Sequence, residues 1–98
     1  MEFEWDETKR RGVLAARQID FAEAALVFDD AKRLTFVDAK REYGETRYLT
    51  LGRVGSQDFI VAYTMRAGKI RIITAWRAGE NGRRRYQALF DRRIAGEE

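Results

Sequence analysis

The chain has 98 residues, a formal net charge of +3, 45% apolar and 36% charged residues, and no histidine, cysteine or proline. That length and mixed-sign composition fit one globular domain with one core. The missing cysteine and histidine exclude disulfides and thiolate zinc sites, so any metal site would have to be all-oxygen.

In chain order, Phe3 and Trp5 alternate with Glu2 and Glu4, which suits a short strand or an extended lead-in with its aromatic face toward the core. Asp6 is placed to cap a helix running to about Gln18. Asp20 with Glu23 three residues on resembles a capping box. Phe21, Ala24, Ala25 and Phe28 then follow at the i, i+3, i+4, i+7 spacing of a short amphipathic helix ending near Asp29. Four strand candidates come next: Leu34 to Val37, Thr46 to Val54, Phe59 to Arg66 and Lys69 to Arg77. They are rich in β-branched and aromatic residues and separated by Gly44, Gly55-Ser56 and Gly68. The consecutive apolar positions of the third and fourth runs suit central strands covered on both faces. From Asn81 a helix is expected, with Tyr86, Leu89, Phe90 and Ile94 on one stripe and arginines on the other. The expected fold is α+β, a single domain over residues 1–98. It has two N-terminal helices, a four-stranded mainly antiparallel sheet with the short N-terminal strand as an optional fifth, and a C-terminal helix.

The positive charge is unevenly spread. Lys9, Arg10, Arg11 and Arg17 gather early and Arg83, Arg84, Arg85, Arg92 and Arg93 late. Two such patches could frame one groove for a polyanion, or they could be solvated helix faces. The charged N-terminus lacks the apolar stretch of a signal peptide. No run of about 18 apolar residues is long enough to span a bilayer, so a cytoplasmic protein without a membrane partner is expected.

Several segments in their order carry a family resemblance: FEWD with Lys9 three residues on, IDFAEAALVFDD (Ile19 to Asp30), LTF (Leu34 to Phe36), GETRYLTLGR (Gly44 to Arg53), IRIITAWRA and the Arg-Arg-Arg-Tyr helix. Together they resemble the BrnT family of type II toxins over almost the whole chain. The resemblance implies a RelE-like fold and an RNA-cleaving activity that arrests translation. It also implies no cofactor and a hetero-oligomer with a BrnA-like ribbon-helix-helix antitoxin. Lys9, Trp5, Asp6, Glu45, Arg47, Tyr48, Arg71 and Arg77 match family positions. The family's Asn-x-x-Lys-His-Gly segment, however, is replaced at Val13, Ala16, Arg17 and Gln18, and its last-helix glutamate by Gly82.

Cleaving RNA without a metal requires the 2′-hydroxyl deprotonated, the phosphorane charge stabilised and the 5′-oxygen protonated. Arginine suits the middle task, through its permanently charged fork. Arg77 and Arg71 are the expected charge stabilisers, with Glu45, Lys9 and Tyr48 as proton carriers. Arg17, Arg47, Trp76, Arg83 and Arg84 are the expected RNA contacts. Strict alternation places Arg71 and Arg77 on one face of the last strand but about 20 Å apart, too far to grip one phosphate. Arg71 alternatively pairs with an acid such as Glu45 across strands. Trp5, Trp76, Tyr48 and Tyr63 either stack on bases or belong to the core. Two other functions stay open: a catalytically impaired antitoxin-binding co-repressor, and a nucleic-acid-binding module unrelated to toxin action.

Overall fold

The computed structural model describes residues 1–38 and 44–96; in the C-terminal helix the side chains of residues 86, 89, 90 and 92–96 lie outside that description. It is α+β, with strand β1 (Phe3–Trp5), helices α1 (Glu7–Arg17) and α2 (Phe21–Ala24) and a 3₁₀ turn (Ala25–Asp29). Strands β2 (Leu34–Asp38), β3 (Arg47–Val54), β4 (Gln57–Arg66) and β5 (Lys69–Arg77) follow, then helix α3 (Glu80–Gly96). The N-terminal strand is a full member of the sheet. It pairs parallel to β5, giving a five-stranded sheet in the order β1-β5-β4-β3-β2.

α1 starts where Asp6 accepts the backbone N–H of Lys9. It ends at Gln18, which takes the left-handed conformation (φ 56°) and sends its N–H back to the Leu14 carbonyl at 2.9 Å. A glycine would hold that conformation without the Cβ penalty. Asp20 caps the next segment by accepting the Ala22 N–H. The expected amphipathic helix lasts only one α turn before tightening to 3₁₀. The cause lies at Gly52 in β3: a Cβ there would fall 2.7 Å from Val27 Cβ and 2.8 Å from the Val27 carbonyl oxygen. The 3₁₀ backbone thus lies directly on a strand that has no side chain at that point.

α1, α2 and the 3₁₀ turn cover one sheet face. Phe21, Ile19 and Val27 are fully buried there against Phe59, Val61, Ile72 and Ala75. β4 is the central strand, buried continuously from Phe59 to Thr64. Thr50, buried on the neighbouring strand β3, is satisfied by the Tyr63 hydroxyl at 2.9 Å and by Thr35 at 3.0 Å. Two-residue turns close the β3–β4 and β4–β5 hairpins, with Gly55 and with Ala67-Gly68 at positive φ. α3 packs toward β2, at the far edge of the sheet from β1. The expected apolar stripe Tyr86, Leu89, Phe90 and Ile94 falls on side chains outside the described set.

One irregularity overturns the simple alternation expected for β5. Tyr63 pairs with Ile72 while the adjacent Ala62 pairs with Thr74, so Ile73 is an extra, bulged residue. The slip moves every later side chain to the other face. Ile70, Ile72, Ala75 and Arg77 therefore share the core-side face, and Arg71 lies on the opposite one with Thr64 and Glu4.

Candidate functional site

A solvent-open groove of about 340 Å³ runs beside α1, lined by Asp6, Thr8, Lys9, Gly12, Val13, Ala16, Arg17 and Thr74. That volume lies near the lower end of the range for small-ligand sites, about 300–1,000 Å³. Lys9 and Arg17 sit two turns apart on α1, about 12 Å along its axis. Among the described residues the Lys9 ammonium has no ion-pair partner.

At the groove's upper end Arg17 and Arg77 fasten α1 to β5. The Arg17 guanidinium donates to the Thr74 hydroxyl at 3.0 Å and to the Ala75 carbonyl at 2.9 Å. Because β1 ends opposite Ile72, that carbonyl lies beyond the paired part of the sheet edge, and Arg17 supplies its donor. Arg77 donates in return to the backbone carbonyls of Arg17 and of Gln18, the latter at 3.2 Å, and to the Gln57 side-chain oxygen at 2.9 Å. It lies over the Phe59 ring, 5.9 Å from the centroid. A guanidinium on the last carbonyls of α1 is also well placed for the helix dipole.

The remaining expected site residues are elsewhere. Arg71 is bound to Glu4 on β1 at 2.8 Å, not to Glu45. Glu45 is held instead by a forked contact from Arg66 at 3.1 and 3.3 Å, which, with the charges of Arg66 and Arg47, keeps its carboxyl below the usual range. A lowered pKa makes Glu45 a weaker base, the opposite of what proton abstraction needs. Tyr48 stacks on Tyr63 at 5.5 Å, and Tyr63 in turn meets Phe28 edge-on at 5.0 Å, so Tyr48 joins the core. Trp5 packs edge-on against Phe21. Arg47 shares a cross-strand row with Thr64 and Arg71. This group lies toward the β4–β5 turn, at the opposite end of β5 from Arg77. Trp76 pairs with Ile60, on the face away from Arg77.

Among the described residues, the late arginines Arg83 and Arg84 line a different groove from the early cluster. α1 rests on β5 and α3 on β2, and a separate groove is lined by α3 alone, from Glu80 to Asp91. Arg83 bonds Asp58 at 2.8 Å beside Arg53, while Arg84 pairs with Glu80 one turn back. Thr74 holds Arg17 in the groove and Gln57 holds Arg77 beside it, and neither was singled out by motif or spacing. Among the described residues no three His, Cys, Asp or Glu side chains gather as a metal site, and no helix is long and apolar enough to cross a membrane.

The described arginines differ in how they are compensated. Arg10, Arg53, Arg66, Arg71, Arg83 and Arg84 each bond a carboxylate. Arg17 and Arg77 bond only neutral acceptors, as Arg33 does outside the groove, so their charge is left to act on a ligand.

No curated protein matches the chain. The family model described as the ribonuclease toxin BrnT of type II toxin-antitoxin systems matches residues 5–81, from Trp5 in β1 to the first turn of α3. With most of its length matched, this chain belongs to the BrnT family of ribonuclease toxins, whose members work against RNA and are paired with an antitoxin.

Proposed function

We propose that this toxin cleaves RNA without a metal in the groove between α1 and the end of β5, and that the cleavage arrests translation. The observation that carries the reading is a groove lined by Lys9 and Arg17, neither bonded to a carboxylate among the described residues, with Arg77 on the α1 carbonyls just beyond it. Arg17 and Arg77, about 12 Å or more along α1 from Lys9, hold the phosphates of neighbouring nucleotides. Asp6, the carboxylate on the groove wall, takes the 2′-hydroxyl proton as that oxygen attacks phosphorus. Lys9 stabilises the phosphorane with its charge and returns a proton to the departing 5′-oxygen, leaving a cyclic phosphate on one fragment and a 5′-hydroxyl on the other. A ribbon-helix-helix antitoxin neutralises the toxin by laying an acidic segment over the same cations.

A second reading, an antitoxin-binding co-repressor without catalysis, is favoured by one observation. Arg17, standing where the family resemblance places histidine, is tied to Thr74 and Ala75 and offers no imidazole to carry protons near neutral pH. Incubating the purified chain with RNA in a chelator separates the two. Fragments with cyclic-phosphate ends support the ribonuclease reading, whereas intact RNA together with tight antitoxin binding supports the co-repressor.

A further inference from the structure

We infer that Gln57 is a positioning residue of the groove, which aims Arg77 at an RNA phosphate while leaving its charge unneutralised. The inference deepens the ribonuclease reading and rests on it. A guanidinium carries five N–H donors. Three of those on Arg77 are engaged, by Gln57, Arg17 and Gln18, which leaves two for a ligand. The bond from Nε to Gln57 fixes the rotation of the fork, and the Phe59 ring beneath fixes its plane.

Strand register puts both supports on the face of Arg77. Gln57 and Phe59 alternate along β4, and Phe59 pairs with Arg77. Between them Asp58 points the other way, where its carboxylate is taken by Arg53 and Arg83. Two adjacent residues thus treat arginine in opposite ways. The acid compensates Arg53 of the hairpin and Arg83, which binds α3 to it, and the amide orients an arginine without compensating it. A carboxylate at position 57 would reach the same Nε and convert Arg77 into one more closed ion pair.

The test is Gln57→Glu, close to isosteric and, as a partner for Arg77, no threat to the fold. RNA binding is measured against salt with a single-stranded oligonucleotide protected by 2′-O-methylation, and cleavage with the unprotected sequence. The expected result is an unchanged or higher Tm, affinity at least about tenfold weaker, a salt slope shallower by about 0.7, and a matching fall in cleavage. Gln57→Met keeps the charge but frees the fork, so it should keep the slope and lower kcat more than it raises KM. Wild-type affinity, slope and cleavage in Gln57→Glu would overturn the inference. Arg77→Gln tells which level failed: a reduced slope there with none in Gln57→Glu removes Gln57 alone, and an unchanged slope in both removes Arg77 and the reading it supports.

Discussion

Arg17 and Arg77 cross-link α1 and β5 from both sides: the Arg17 side chain on α1 bonds the β5 carbonyl of Ala75, and the Arg77 side chain on β5 bonds the α1 carbonyl of Arg17. Two like charges are thereby brought to one end of a groove with neutral acceptors between them, an arrangement that costs repulsion unless an anion is present. Phosphate or an acidic antitoxin segment supplies that anion.

Arg77→Ala should therefore affect fold and function together, because it strips the α1 C-terminus of its donors. A loss of about 1–2 kcal/mol in urea unfolding is expected, along with RNA cleavage lower by orders of magnitude. Arg77→Lys keeps the charge but loses the fork, and should recover cleavage only in part. Equal cleavage by all three proteins, measured as initial rates on one RNA, would take Arg77 out of the site.

Gln18→Gly should raise stability. The left-handed backbone at Gln18 carries a Cβ penalty that glycine lacks. The gain, offset by greater freedom of the unfolded chain, should be about 0.5–1 kcal/mol, read from the urea midpoint at constant m-value.

Gly52→Ala should do the reverse. Its new methyl meets the backbone and Cβ of Val27 inside contact distance, where no flexible side chain can yield. A loss of about 1–3 kcal/mol is expected from displacing the 3₁₀ turn off β3, and amide exchange in residues 25–29 should quicken more than in β4.

Acid should weaken the fold through specific carboxylates. The Asp30 carboxyl is held below its ordinary value by the N–H groups of Arg53 and Lys32, then by the charges of Arg83 and Arg53. Glu7, bonded by Arg10, and Glu45, bonded by Arg66, are lowered as well. A depressed pKa gives stability that is whole above the unfolded value and is lost as pH falls through the folded one. Unfolding midpoints should be level from neutrality to about pH 5 and drop below about pH 4. Asp30→Asn should lower the plateau and soften the drop, and an unaltered acid limb would show that Asp30 carries none of it.

Much of the fold was legible in the sequence. Asp6 caps α1, β5 has the expected bounds from Lys69 to Arg77, and the turn glycines close the hairpins, because each of these is set by local chemistry. The spacing of Phe21, Ala24, Ala25 and Phe28 also described burial correctly, since all four are buried, yet it could not tell α from 3₁₀. That choice depends on Gly52, 24 to 31 residues away, whose place inside a strand was the one available sign of close backbone approach. The bulge at Ile73 left no sign at all. It arises from how β5 pairs with β4, and it separated Arg71 from Arg77. The site was half legible for a similar reason: the sequence shows where arginines are, while the partners that compensate them, Glu4 for Arg71 and Asp58 for Arg83, come from distant segments.

The central claim, that uncompensated cations of the α1 groove cleave RNA, is tested most directly by comparing Lys9→Gln with Arg66→Gln. Lys9 is exposed in the groove with no ion pair among the described residues, and Arg66 is paired with Glu45 at the opposite end of the sheet. Neither substitution disturbs the core, so both proteins should keep the wild-type Tm within a few degrees. With one RNA under single-turnover conditions, the account predicts cleavage lower by about 10²-fold or more for Lys9→Gln, and a wild-type rate for Arg66→Gln. Full cleavage by Lys9→Gln with loss in Arg66→Gln would contradict it and move the chemistry to Glu45 and Tyr48.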